Sequence, residues 1–140
     1  MDKIYVVYWS QSGNTQAMAE AVGKGITDAG KEAAVVYVGD ASVDELSSAK
    51  CFALGCPAMG AEVLEEAEMD PFVSEVEAIA AGKTIALFGS YGWGDGEWMR
   101  NWDETCRNDG AVMACDFVIC NDAPDEDAKA ACEELGKALA

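Results

Sequence analysis

The sequence predicts a doubly wound α/β domain built on five parallel strands. Three observations predict it. Five apolar runs rich in β-branched and aromatic residues recur along the chain, as strands buried on both faces of a parallel sheet require. Between the runs, apolar residues recur every three or four positions, the period of amphipathic helices. The 140 residues suffice for one proper core and fit one domain, residues 1–140.

The first strand is residues 3–9, KIYVVYW. Met18, Val22, Ile26 and Ala29 then mark a helix, stopped by Gly30. The second strand is AAVVYV, 33–38, and residues 42–47 form a short helix. CFALGC, 51–56, is the third strand. Phe72, Val73, Val76, Ile79 and Ala80 mark the next long helix, stopped by Gly82. TIALFGS, 84–90, is the fourth strand, and Trp98, Met99, Trp102 and Cys106 form a helical core stripe ending near Gly110. VMACDFVIC, 112–120, is the fifth strand, where Asp116 demands a bulge or an edge position. Pro124, Asp125, Glu126 and Asp127 open a last helix carrying Ala128, Ala131, Cys132, Leu135 and Leu139.

Nine basic residues against 26 acidic ones give a formal charge of −17. Nucleic acid and anionic lipid both need neutralisation by Lys and Arg, so neither is expected as a partner, whereas a basic protein is. No apolar run approaches bilayer-spanning length, and the first residues lack a signal-peptide pattern, so a cytoplasmic location is expected. The six cysteines, at 51, 56, 106, 115, 120 and 132, form no Cys-x-x-Cys pair, and histidine is absent. They read as core thiols rather than zinc ligands or disulfides.

The loop between the first strand and the first helix carries the strongest chemical signal. SQSGNT, residues 10–15, is a run of small polar residues with no cation. A helix start exposes unpaired N–H groups and a partial positive charge. Gly13 lets backbone approach a ligand, and Ser10, Ser12, Asn14 and Thr15 add side-chain donors. Together they suit a phosphate held without a cation. The Walker loop, the dinucleotide glycine fingerprint and a Cys-x5-Arg loop are absent.

SQSGNT resembles the phosphate loop of the flavodoxins, whose common form is Ser/Thr-x-Thr-Gly-x-Thr; Ser12 replaces the central Thr and keeps a hydroxyl. GCPAMGAEVLEE, 55–66, and ALFGSYGWGDGEWMR, 86–100, are similar to the family's two other loops. The resemblance runs the whole chain and is nearest to the short-chain flavodoxins of anaerobic bacteria. It implies strand order 2-1-3-4-5 and bound FMN at the carboxyl ends of the strands, a rule for which the flavodoxins are themselves a standard example.

The resemblance also implies a role for each loop. Ser10, Gln11, Ser12, Gly13, Asn14 and Thr15 would hold the FMN phosphate. Pro57, Ala58, Met59, Gly60 and Glu62 would line one side of the flavin, with Met59 as an apolar plate and Glu62 accepting from flavin N3–H. The Gly60 peptide would turn its carbonyl toward flavin N5 on one-electron reduction. Ser90, Tyr91, Gly92, Trp93, Gly94, Asp95 and Gly96 would form the other side, with Trp93 stacked on the ring. Asn121 or Asp122 would touch the ribityl chain. Two residues depart from the family: Pro57 stands where relatives often have a hydroxyl or another small residue, and Ala61 where Asp, Ser or Asn is common.

No nucleophile is paired with a base and no nicotinamide fingerprint occurs, so no catalytic or metal-binding residue is expected. The resemblance implies a low-potential one-electron carrier that shuttles between redox enzymes in place of ferredoxin. A small FMN-dependent quinone or flavin reductase of the same fold is the alternative. Glu62, Glu65, Glu66, Glu68, Asp70, Glu75 and Glu77, with no cation from Cys51 to Gly82, would lower the flavin potential and steer basic redox partners to a monomer.

Overall fold

The computed structural model describes residues 3–59, 63–92 and 94–140. The elements follow in order: β1 (Lys3–Tyr8), α1 (Asn14–Asp28), β2 (Glu32–Tyr37), a 3-10 turn (Val38–Asp40), α2 (Val43–Ser48) and β3 (Cys51–Gly55). Then come α3 (Met69–Glu77), β4 (Thr84–Tyr91), α4 (Glu97–Asn108), β5 (Val112–Met113), β6 (Val118–Asn121) and α5 (Glu126–Leu139). All strand pairs are parallel, in the order β2-β1-β3-β4-β5, with β6 continuing the fifth position along β4.

The predicted fifth strand is therefore divided. Val112 and Met113 pair with Thr84 and Ile85, and Val118 to Asn121 pair with Phe88 to Tyr91. Asp116 lies exposed in the intervening segment. A carboxylate cannot enter a strand covered on both faces without a large desolvation cost. The chain bulges away from β4 around it and rejoins two residues later.

The strands alternate between two cores. One face carries Val7, Phe52, Leu54, Ile85 and Leu87 against Leu46, Phe72, Val76, Trp98, Met99 and Trp102. The other carries Ile4, Val6, Ala53, Ala86 and Phe88 against Met18, Val22, Ile26, Cys132, Leu135 and Leu139. Helices α1 and α5 approach closely because Gly25 faces the Glu133 carbonyl and Gly136 the Val22 carbonyl, where a β-carbon would overlap backbone.

Helix α3 begins and ends three residues earlier than its apolar pattern predicts. Met69, Phe72, Val73 and Val76 form its buried stripe. Ala80 is buried and Ile79 packs on the same core, but both do so from the turn that follows. The early start has a polar cause. The buried Glu65 carboxylate accepts from the N–H groups of Ala67, Glu68 and Met69 at 2.6, 2.8 and 2.9 Å. These are the donors that a helix start leaves unpaired.

All six cysteines are free thiols. Burial pushes Cys56, Cys106 and Cys132 up to about 12, which leaves them unreactive. Cys51, Cys115 and Cys120 are half-buried, and Cys115 lies in the segment between β5 and β6 rather than in a strand. No helix among the described residues is long and apolar enough to cross a membrane.

Candidate functional site

Parallel strands end on one edge of the sheet, so the segments leaving β1, β3, β4 and β6 meet there. They enclose a cleft of about 340 Å³. Eleven predicted residues line it: Ser10, Gln11, Ser12, Asn14 and Thr15 from the first loop, Pro57, Ala58 and Met59 from the second, and Ser90, Tyr91 and Gly92 from the third. Gly13, Gly94, Asp95 and Gly96 are not among the lining residues. Gly60, Glu62 and Trp93, expected at the flavin, lie outside the described residues.

The first loop is built as a cradle. Gly13 is the N-cap of α1, at φ 95°, a left-handed conformation that glycine adopts without strain. Its N–H donates to Ser10 Oγ at 3.1 Å, which folds the loop back on itself. The Thr15 and Ser90 hydroxyls lie 3.2 Å apart, both buried, and tie the first turn of α1 to the end of β4.

The start of α1 differs from every other α-helix start among the described residues. Helices α2, α3, α4 and α5 each carry an acidic residue in the first turn. At α5 the Asp125 side chain also accepts from the Ala128 N–H at 2.8 Å. Helix α1 has neither an acid in its first turn nor a side-chain cap bond. In a chain with 26 acids, a helix dipole left uncompensated beside a ring of hydroxyls fits an external anion. The donor set matches a phosphate monoester.

The second and third loops form the cleft's other wall. The Ala58 N–H donates to the Ser90 carbonyl at 3.0 Å, and the Met59 N–H to the Val63 carbonyl at 2.9 Å. The Tyr91 ring rests against Trp98, centroids 5.7 Å apart and planes tilted by 54°. Trp98 is buried and donates from Nε1 to the Cys56 carbonyl at 3.1 Å. Trp102 is buried in the same stripe. Asp95 pairs with Arg100 at 3.0 Å, and Gly96 is the N-cap of α4.

One lining residue adds to the predicted set. Trp9, read as the end of the first strand, lies beyond β1 and lines the cleft, although its N–H still donates to the Gly55 carbonyl at 3.0 Å. An aromatic residue directly before a hydroxyl-rich loop is the signal that marks it. Asp122 also lines the cleft. Of the pair Asn121 and Asp122, it is the one that does.

The acidic segment has a different geometry. None of its described acids lines the cleft. Burial raises the Glu65 carboxyl, but its three N–H bonds outweigh this and hold it below the ordinary carboxylate value. Glu68 accepts from the Tyr37 hydroxyl at 2.6 Å. That bond, with burial, pushes Tyr37 up to about 12.

A larger cleft, about 590 Å³, lies at the opposite edge and is lined in part by Lys3, Lys31 and Lys50. The carboxyl ends of α1, α2 and α5 gather there, and cations offset their partial negative charge. None of the predicted site residues lies in it.

Residues 6–136 match the flavodoxin family. The chain is 47% identical over 135 residues to the flavodoxin of Clostridium beijerinckii, covering 96% of this chain and 97% of that protein. The solution structure of the two-electron reduced flavodoxin of Megasphaera elsdenii superposes with a TM-score of 0.89 at 40% identity, covering 97% of each chain. An archaeal flavodoxin structure gives 0.87 at 33% identity, covering 99% of this chain and 96% of that one. The chain belongs to the flavodoxin family, the FMN-containing low-potential electron carriers.

Proposed function

We propose that residues 1–140 form one domain that holds a single FMN in the cleft at the carboxyl edge of the sheet. FMN supplies the redox chemistry when bound. The first loop holds its phosphate through the Ser10, Ser12 and Thr15 hydroxyls, the Gln11 and Asn14 amides and the free N–H groups at the start of α1. Pro57, Ala58 and Met59 face one side of the ring system, and Ser90, Tyr91 and Gly92 the other. Gly60, Glu62 and Trp93 take the flavin-facing roles that the family resemblance implies, as do Gly94, Asp95 and Gly96 in the third loop.

The observation that carries this reading is the uncapped, acid-free start of α1 beside its hydroxyl ring. The protein works in the cytoplasm as a monomer and passes electrons between oxidoreductases in place of ferredoxin. Its charge of −17 favours partners with basic docking faces and opposes nucleic acid and anionic membranes. The family match sets aside the reductase alternative.

Titration of the apoprotein with FMN, riboflavin and FAD tests the site. FMN binds much more tightly than riboflavin, and FAD binds poorly. Equal affinities for FMN and riboflavin would remove the phosphate cradle from the account.

A further inference from the structure

The chain holds nine cations against 26 acids, and three of the nine meet at one cleft. Lys3, Lys31 and Lys50 line the cleft of about 590 Å³ at the edge opposite the cofactor site. Topology brings them there. Lys3 opens β1, Lys31 immediately precedes β2, and Lys50 immediately precedes β3. These three strands are neighbours, in the order β2-β1-β3. Tyr5 stands opposite Phe52 in the β1–β3 register, and counting back sets Lys3 opposite Lys50. Adjacent strands lie about 4.8 Å apart, so the three lysines leave the sheet edge within roughly 10 Å.

Like charges on adjacent strands repel, and no acid relieves the repulsion. Lys24, Lys137, Arg100 and Arg107 are ion-paired. Lys3, Lys31 and Lys50 make no ion pair among the described residues, although Glu32 stands opposite Lys3 in the β1–β2 register. Glu45 is the acidic side chain among the described lining residues, and it accepts from the Tyr5 hydroxyl at 2.7 Å. The end of α2 has its own cation. Lys83, outside the lining, donates to the Ser47 and Ala49 carbonyls at 2.6 and 2.5 Å. Helix α5 likewise carries Lys137 in its last turn.

Apolar surface completes the lining, where Ile4 and Leu139 are nearly buried. Ammonium groups on flexible stems hold phosphate as point charges. A row of three suits a run of phosphates, and the volume is that of sites that hold small organic molecules. We propose that this cleft binds an organic di- or triphosphate. Its phosphates lie along Lys3, Lys31 and Lys50, and its less polar body lies over Ile4 and Leu139. The site is separate from the cofactor cleft and does not depend on the FMN reading.

The test is titration of the protein with ATP in EDTA and saturating FMN, followed by amide NMR, which reads the two clefts separately. At about 0.15 M ionic strength the field of distant acids is screened beyond roughly 8 Å. ATP produces saturable shifts at residues 3–5, 31 and 50–51. Adenosine lacks the charge and tripolyphosphate lacks the organic body, and both bind more weakly. Lys3→Gln, Lys31→Gln and Lys50→Gln each weaken ATP about two- to fivefold, the range of an exposed ion pair, and the triple variant more than about tenfold. Lys129→Gln, at an exposed lysine of α5 outside the lining, stays within about twofold. The proposal is overturned if ATP gives no saturable shift at these residues, or if adenosine or tripolyphosphate matches it. It is equally overturned if the triple variant, shown to be folded by its own spectrum, binds ATP as the wild type does.

Discussion

The Thr15 hydroxyl meets the Ser90 hydroxyl at 3.2 Å, in a position where both residues are nearly sealed from solvent. This bond joins the first loop, at the start of α1, to the end of β4. The two walls of the cleft that carry Thr15 and Ser90 therefore share one buried strut. Thr15→Val keeps the shape and deletes the hydroxyl. It leaves the Ser90 hydroxyl short of a partner, a loss of about 1–2 kcal/mol in apoprotein stability. FMN affinity falls and riboflavin affinity holds. Urea unfolding and paired ligand titrations check this, and equal losses for both ligands would show that Thr15 serves packing alone.

Gly13→Ala probes the backbone of the cradle. The space beside Gly13 is open, so a methyl group meets nothing within 4 Å. The cost arises from φ 95° alone, about 1–2 kcal/mol for an L side chain in the left-handed region. The urea midpoint falls accordingly. FMN affinity falls further, because relaxing the strain moves N–H groups off the phosphate. An unchanged midpoint would mean that the loop adopts another conformation in solution.

Glu65 gives the fold a pH dependence. Its folded-state pKa lies below the ordinary 4.5 because three N–H bonds to the carboxylate outweigh burial. Its contribution is therefore complete above the unfolded value and is lost as pH falls through the lower folded value. Glu65→Gln costs about 1.5–3 kcal/mol at pH ~7, as expected for hydrogen bonds to a charged group. The gap between wild type and variant narrows once the pH is well below 4.5. Urea unfolding across that range measures it, and a gap independent of pH would assign Glu65 a purely steric role.

Gly136 and Gly25 set the spacing of α1 and α5. Ala is a better helix former than Gly by about 1 kcal/mol, so Gly136→Ala would stabilise a solvated helix. Here the added methyl group lands on the Val22 carbonyl and stands 3.0 Å from the Ile26 nitrogen. Overpacking of this kind costs about 1–3 kcal/mol. Thermal unfolding shows a lower midpoint in the variant. A higher one would mean that the two helices have room to part.

The chain's layers were legible because burial on both faces leaves long apolar runs, and β1, β3 and β4 need little else to be found. Strand order was not legible in periodicity and came from the loop resemblance. The division of β5 from β6 was visible only as the lone Asp116. Trp9 reads as strand because an apolar run does not show where its last residue turns out of the sheet. Glu65 reads in sequence as one more surface acid among its neighbours. Only the path of the chain after β3 reveals that its carboxylate points inward to the first N–H groups of α3. Asp122 was recognisable as a loop acid, but its left-handed backbone and its place beside Gly92 are products of pairing between β4 and β6.

The central claim is that this chain carries single electrons on FMN held by the cradle of residues 10–15. A stoichiometric reductive titration of the purified protein, followed by absorbance and by phosphate-sensitive cofactor exchange, tests it most directly. The account predicts one FMN per chain, reduction in two separated one-electron steps, and exchange that discriminates sharply against riboflavin. A protein reduced in one two-electron step by NAD(P)H alone, or one that holds riboflavin as well as FMN, would contradict it.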